Sequence, residues 1–223
     1  MKNNEGLQKD VQDAIKWEPL LNAAEIGVTV KDGIVTLTGT VDSYIKKTEA
    51  EDAAKKVTGV KAVVENIEVK FGDWGPKTDD EVAKEVLNAF KWSWQVPNDK
   101  ITIKVEKGWV TLQGELNWHY QKDAAKSAIK SLLGVKGIIN SITVKSDVDD
   151  EIEKHEIEAA IRRNWAINED NVHVKVSGNK VTLTGTVGSI YQKDEVQRIA
   201  WNAPGVWHVD NELQVEYDFS LVD

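Results

Sequence analysis

No cysteine occurs among the 223 residues, which removes disulfides, thiolate nucleophiles and the common cysteine-containing zinc sites in one step. Nor is there a run of eighteen apolar residues, so no segment has the length of a membrane-spanning helix. The opening stretch MKNNEGLQKDVQDAIKW lacks the apolar core of a secretory leader. On that reading the chain is soluble and cytoplasmic as written, and periplasmic if a leader has been removed. A basic excess is also missing, since 28 Lys and Arg face 37 Asp and Glu, a net charge of −9. The deficit is uneven: residues 1–72 hold 10 basic and 12 acidic side chains, residues 73–146 hold 11 and 9, and residues 147–223 hold 7 and 16. Such a balance excludes duplex nucleic acid as a partner, because phosphates need a basic stripe to neutralise them.

Reactive groups are equally scarce. The four histidines, His119, His155, His173 and His208, show no i, i+4 pairing and no evident carboxylate neighbour, so neither a metal centre nor an acid–base pair is expected. The acidic run Asp147 to Glu151 lacks the glycine and the terminal glutamate of a calcium loop. It reads as a solvated linker whose acids suit the start of a helix. No cofactor and no catalytic residue are expected.

What is present is a repeat. VTLTGTV occupies Val35 to Val41 and returns at Val181 to Val187, with an altered copy, VTLQGEL, at Val110 to Leu116. Alignment on Gly39, Gly114 and Gly185 brings a second glycine into register twenty residues later, at Gly59, Gly134 and Gly205. A fixed period of this kind marks one structural unit copied three times, with boundaries at 1–72, 73–146 and 147–223.

Each copy reads as α-β-β-α-β. Leu7, Val11, Ala14 and Ile15, then Val82, Val86, Ala89 and Phe90, form the apolar stripe of a first helix. The third copy keeps Ile157, Ala160 and Ile161 but puts Glu153 where Leu7 and Val82 stand, so its first turn is expected to be the loosest. Thr78 and Glu81 spell a capping box. Alternation around Lys31-Asp32-Gly33 predicts a hairpin with Val35 and Leu37 inward and the threonines outward. Ser43 or Ser189 then caps a second helix, which carries Ala50, Ala53, Ala54 and Val57 inward and ends at Gly59. A last strand with Ile67 and Val69 inward closes the unit. The fold class is therefore α+β: three tandem units, each a small mixed three-stranded sheet with two helices on one face and the other face open.

The pattern G-x-V-T-L-x-G, a Gly-Val twenty residues on and a V-x-N-x-L-x-V ending resembles the BON domain, three times over. Gly33, Val35, Leu37, Gly39, Gly59, Val60, Ile67 and Val69 carry the resemblance in the first copy, and their counterparts carry it in the others. Two positions depart from it: Asn179 replaces the turn glycine, and Glu65-Asn66 displaces the motif asparagine by one. The resemblance implies a non-enzymatic bacterial module of envelope integrity and osmotic stress that binds phospholipid membranes. It also implies one alternative, a potassium-binding protein, and a second alternative, a holdase-type chaperone acting on protein clients, comes from the tryptophans described below. A monovalent cation held by backbone carbonyls would leave almost no sequence signature.

Tryptophan sets the copies apart. The first has Trp17, the second has Trp74, Trp92, Trp94, Trp109 and Trp118, and the third has Trp165, Trp201 and Trp207. Trp201 and Trp207 replace lysines of the other copies, which marks them as outward positions. Trp109 has the parity of the open sheet face. Outward tryptophans imply contact surfaces, either packing between the copies or, for Trp92, Trp94, Trp109 and Trp118 on the slightly basic copy together with Trp201 and Trp207, a surface for lipid or a client. Trp17 and Trp92 are also expected to serve as lids on their own cores, and Trp74 to be sandwiched between copies one and two.

Overall fold

The computed structural model describes residues 3–72, 77–145, 154–164, 167 and 171–216. The chain packs as two compact units, one of Met1–Gly39, Glu49–Ile67 and Val148–Asp223, the other of Thr40–Thr48 and Glu68–Asp147. The first copy comprises α1 (Asn4–Trp17), β1 (Ile26–Lys31), β2 (Ile34–Val41), α2 (Tyr44–Lys56) and β3 (Ala62–Val69). The second comprises α3 (Asp79–Trp92), β4 (Ile101–Glu106), β5 (Trp109–Leu116), α4 (His119–Ile129) and β6 (Gly137–Val144). In the third, α5 (Lys154–Arg162), β7 (Val172–Ser177), β8 (Lys180–Val187) and α6 (Ile190–Trp201) precede an interrupted last strand, β9 (His208–Asn211) and β10 (Gln214–Val215). Glu153, where the third copy was expected to start loosely, lies outside the described residues.

In every copy the strand bearing the repeated heptad is central. It pairs antiparallel with the strand before it, and in the second and third copies the last strand runs parallel beside it. The first helices bury the residues that their periodicity selects: Leu7, Val11 and Ile15; Val82, Val86 and Phe90; Ile157 and Ile161. These meet Val35 and Leu37, or their counterparts, from the inward side of the sheet, and all of the latter are fully buried. The second and third copies hold separate core clusters. Tyr44, at the start of α2, joins the cluster built from Val82, Phe90 and Leu112.

Local signals explain the connections. Thr78 and Glu81 make the reciprocal bonds of a capping box. Asp32 and Gly33 both take positive φ, 53° and 83°, as do Lys107 and Gly108 at 52° and 80°, the signature of a two-residue turn whose twist matches the flanking strands. The third copy has Asn179 in place of that glycine, and there only Gly178 is left-handed, at φ 57°. The Asn179 side chain instead donates to the Gly205 carbonyl at 2.8 Å.

The invariant heptad glycine has a steric cause. Gly39, Gly114 and Gly185 pair with Ile26, Ile101 and Val172, at φ 130°, 150° and 119°. At each one a β-carbon would run into a backbone carbonyl of the neighbouring strand, that of Glu25, Lys100 or Asn171. The three surroundings are alike.

Two expectations about the second helix need correction. Helix α2 stops at Lys56, so Gly59 sits in the following turn instead of ending the helix; its backbone packs against Leu7, as that of Gly134 packs against Val82. Ser189 caps α6 by accepting from the Gln192 amide, whereas the Ser43 hydroxyl donates to Asp42.

The motif asparagine is also structural. Asn140 and Asn211 accept from the amides of Ile142 and Leu213 and donate to the carbonyls of Lys122 and Lys193, tying the last strand to the second helix. Glu65 stands at that position in the first copy and accepts from Ile67, but a carboxylate has no amide to donate to the helix.

Candidate interaction surfaces of the second repeat

The direction of the elements decides which tryptophans meet. Helix α3 starts at the hairpin end of its unit, where the Asp79 carboxylate accepts from the amides of Lys107 and Gly108, both at 2.8 Å. It therefore ends at the opposite pole, where β4 begins and β5 finishes. Trp92 closes that helix, Trp94 follows it, and Trp118 opens α4 two residues beyond the end of β5. Trp109 begins β5 at the hairpin pole, roughly 25 Å away at the rise of an extended strand. The expected single surface of Trp92, Trp94, Trp109 and Trp118 is thus two surfaces, because an eight-residue strand separates its members.

At the first pole, Trp92 and Trp94 are 89% and 88% exposed, and Trp17 at the matching place in the first copy is 90% exposed. None of them is a lid. Trp17 and Trp92 each follow the last inward residue of their helix, Ile15 and Phe90, by two positions, and a rotation of 200° turns the side chain away from the core. Trp118 is half-buried and occupies the N-cap position that Ser189 fills in the third copy. Its ring cannot accept a bond from the helix amides, and only the Gln121 side chain contributes, accepting from the Trp118 amide at 3.2 Å. Tyr120, one position into α4, is also exposed and was not singled out from sequence; its signal was the run Trp118-His119-Tyr120. Burial lowers the affinity of the nearby Lys122 ammonium for its proton, against an opposing pull from Asp123.

At the hairpin pole, Trp109 faces outward as its parity demands and is 45% exposed. It pairs in register with Gly137 of β6 and with Glu106 of β4. A β-carbon on Gly137 would overlap the indole, with Cε3, Cζ3 and Cη2 nearly equidistant from it. That is the geometry of a ring face lying over the glycine; an edge would bring one carbon much closer than its neighbours. Ile139 flanks it on the same face and is 49% exposed.

The remaining positions fall elsewhere. Trp201 is not an outward aromatic: it packs against the third core, since its position at the end of α6 is half-buried. Trp207 is 38% exposed and donates its amide to the Asn179 carbonyl at 2.9 Å. Trp74, Trp165 and the run Asp147 to Glu151 lie outside the described residues. Two histidines do have carboxylate neighbours, His119 with Asp123 at 3.2 Å and His208 with Asp210 at 2.7 Å. The spacings i, i+4 on a helix and i, i+2 on a strand were the signals for them. Among the described residues no group of three or more His, Asp or Glu could hold a metal ion, and no helix is long and apolar enough to cross a membrane.

The BON domain profile matches residues 3–70, 78–146 and 149–217. The chain belongs to the BON domain family. Its BON repeats are similar to osmotically-inducible protein Y of Escherichia coli (strain K12), with 28% identity over 129 residues, 56% of this chain and 64% of that protein. The match thus spans less than two thirds of that relative's length. Two solved structures of CdsD, a structural protein of the type III secretion system of Chlamydia trachomatis, align at 18% identity. One alignment covers 95% of this chain and 92% of that one with a TM-score of 0.26, the other 94% and 97% with a TM-score of 0.25. Scores this low establish no shared arrangement with the BON repeats.

Proposed function

We propose that this BON protein is a non-enzymatic binding protein of the osmotic stress response that docks on phospholipid surfaces through the Trp92, Trp94 and Trp118 pole of its second repeat. The observation that carries the reading is the near-complete exposure of the Trp92 and Trp94 indoles at a helix end. Such rings bury on the order of 150 to 250 Å² each when covered, and the membrane interface is where an apolar ring with one polar N–H is favoured. The second repeat is the one with more basic than acidic side chains, 11 against 9 between residues 73 and 146, so an anionic bilayer repels it least. The induction named in the Escherichia coli relative supports the osmotic setting. The repeated residues support a binding role over catalysis, because they are glycines and aliphatics committed to packing.

Sedimentation with vesicles of anionic lipid at low salt tests the reading. The intact chain is expected to pellet, and Trp92→Ser with Trp94→Ser to stay in the supernatant at an unchanged melting temperature. If neither protein pellets while the intact chain suppresses aggregation of an unfolded client without lipid, the pole is a client surface and the membrane reading is wrong.

A further inference from the structure

We infer that the open sheet face of the second repeat carries a separate binding site for a neutral sugar ring, a β-linked gluco-configured glycan, with the Trp109 indole as its platform. The platform is built by two positions together. Glycine at 137 leaves the gap into which the ring lies flat, and the matching residues of the other repeats, Ala62 and His208, carry side chains there. One ring face is thereby spent on the sheet and the other is turned to solvent, with the indole 45% exposed. Held this way the ring has little rotational freedom left to lose when a ligand stacks on it.

The surroundings select the chemistry. Lys104 and Glu106 on the adjoining strand pair with each other at 2.9 Å, and the lysine holds the Glu106 carboxyl below the ordinary carboxylate range. Their charges cancel beside the ring, and the remaining carboxylate of that face, Glu115, stands near the far end of β5, so the ring's surroundings attract neither phosphate nor ammonium strongly. Thr111 beside the ring, with Gln113 and Ser141 further along the same face, offers hydroxyl and amide groups for hydrogen bonding. A gluco-configured pyranose has equatorial hydroxyls and presents C–H groups to a flat aromatic face, which matches an indole flanked by a closed ion pair on one strand and by hydroxyl and amide side chains on the others. Size argues the same way. Trp109 and Ile139, each about half exposed, offer apolar area on the order of 200 Å², far short of the roughly 800 Å² per partner in a stable protein interface.

Titration of the whole, isotope-labelled chain with cellohexaose and chitohexaose, read at the indole N–H signals, tests the site. Saturable movement of the Trp109 signal is expected with at least one of the two. Binding should weaken by about tenfold or more, 1.4 kcal/mol per decade, in Trp109→Ala and also in Gly137→Ala, which keeps the indole but lifts it from the sheet. Both variants should remain folded, with the circular dichroism spectrum of the parent. No movement with either sugar overturns the proposal, as does binding that Trp109→Ala leaves intact. A Trp109 signal that moves with protein concentration alone, or with vesicles instead of sugar, would reassign the face to a second copy or to lipid and overturn it equally.

Discussion

The outward faces of the second and third repeats share a backbone and differ in chemistry. Positions 109, 137 and 139 of the second hold Trp, Gly and Ile; positions 180, 208 and 210 of the third hold Lys, His and Asp. The pairings are the same, Trp109 with Gly137 and Lys180 with His208. In the third repeat Asp210 bridges Lys180 and His208, and hydrogen bonds from both hold its carboxyl below the usual range. One face is an aromatic platform, the other a closed ionic cluster. The inward side of both is the same packing of Val, Leu and Gly. The repeated letters specify the scaffold, and the two outward faces differ in the letters that fail to repeat.

The largest expected effect tests the shared half of that comparison. Gly114→Val and Gly185→Val force a β-carbon onto a carbonyl oxygen at a φ that side chains rarely adopt, and each should destabilise its repeat by about 4 kcal/mol or more in urea denaturation. A marked difference between the two would mean that the scaffolds are not alike. A smaller effect separates Asn from Glu at the motif position. Asn140→Ala and Asn211→Ala should each lose about 1–3 kcal/mol, since a strand amide and a helix carbonyl lose their side-chain partner. Glu65→Asn, conversely, exchanges a carboxylate for the amide used in the other repeats and should shift the stability of the first repeat by no more than about 1 kcal/mol. The smallest effect concerns Trp118. Its replacement by Ser restores the cap used in the third repeat and should stabilise α4 by about 0.5–1 kcal/mol while weakening vesicle binding. Gain in melting temperature with undiminished binding would remove Trp118 from the lipid pole.

Most of the fold was legible because period and sterics act locally. Apolar residues every three to four positions named the buried stripes of α1, α3 and α5, alternation named the hairpins, and Thr78 with Glu81 named a helix start. What sequence missed depended on three-dimensional direction. Trp17 and Trp92 looked like lids because they stand near an apolar stripe, yet two further residues of helix rotate them into solvent. Trp109 and Trp118 lie nine residues apart in the chain, but an intervening strand carries them to opposite poles. The importance of Gly137 was invisible until the register placed it under Trp109, although its departure from Ala62 and His208 was present in the alignment of the repeats.

On the proposal above, unrepeated, outward tryptophans of the second repeat bind while the shared residues only build. Vesicle sedimentation of the intact chain beside its Trp92→Ser, Trp94→Ser form tests this most directly. Pelleting of the first alone, with superimposable thermal melts, is the expected result. Equal pelleting of both proteins, or none from either, would contradict it.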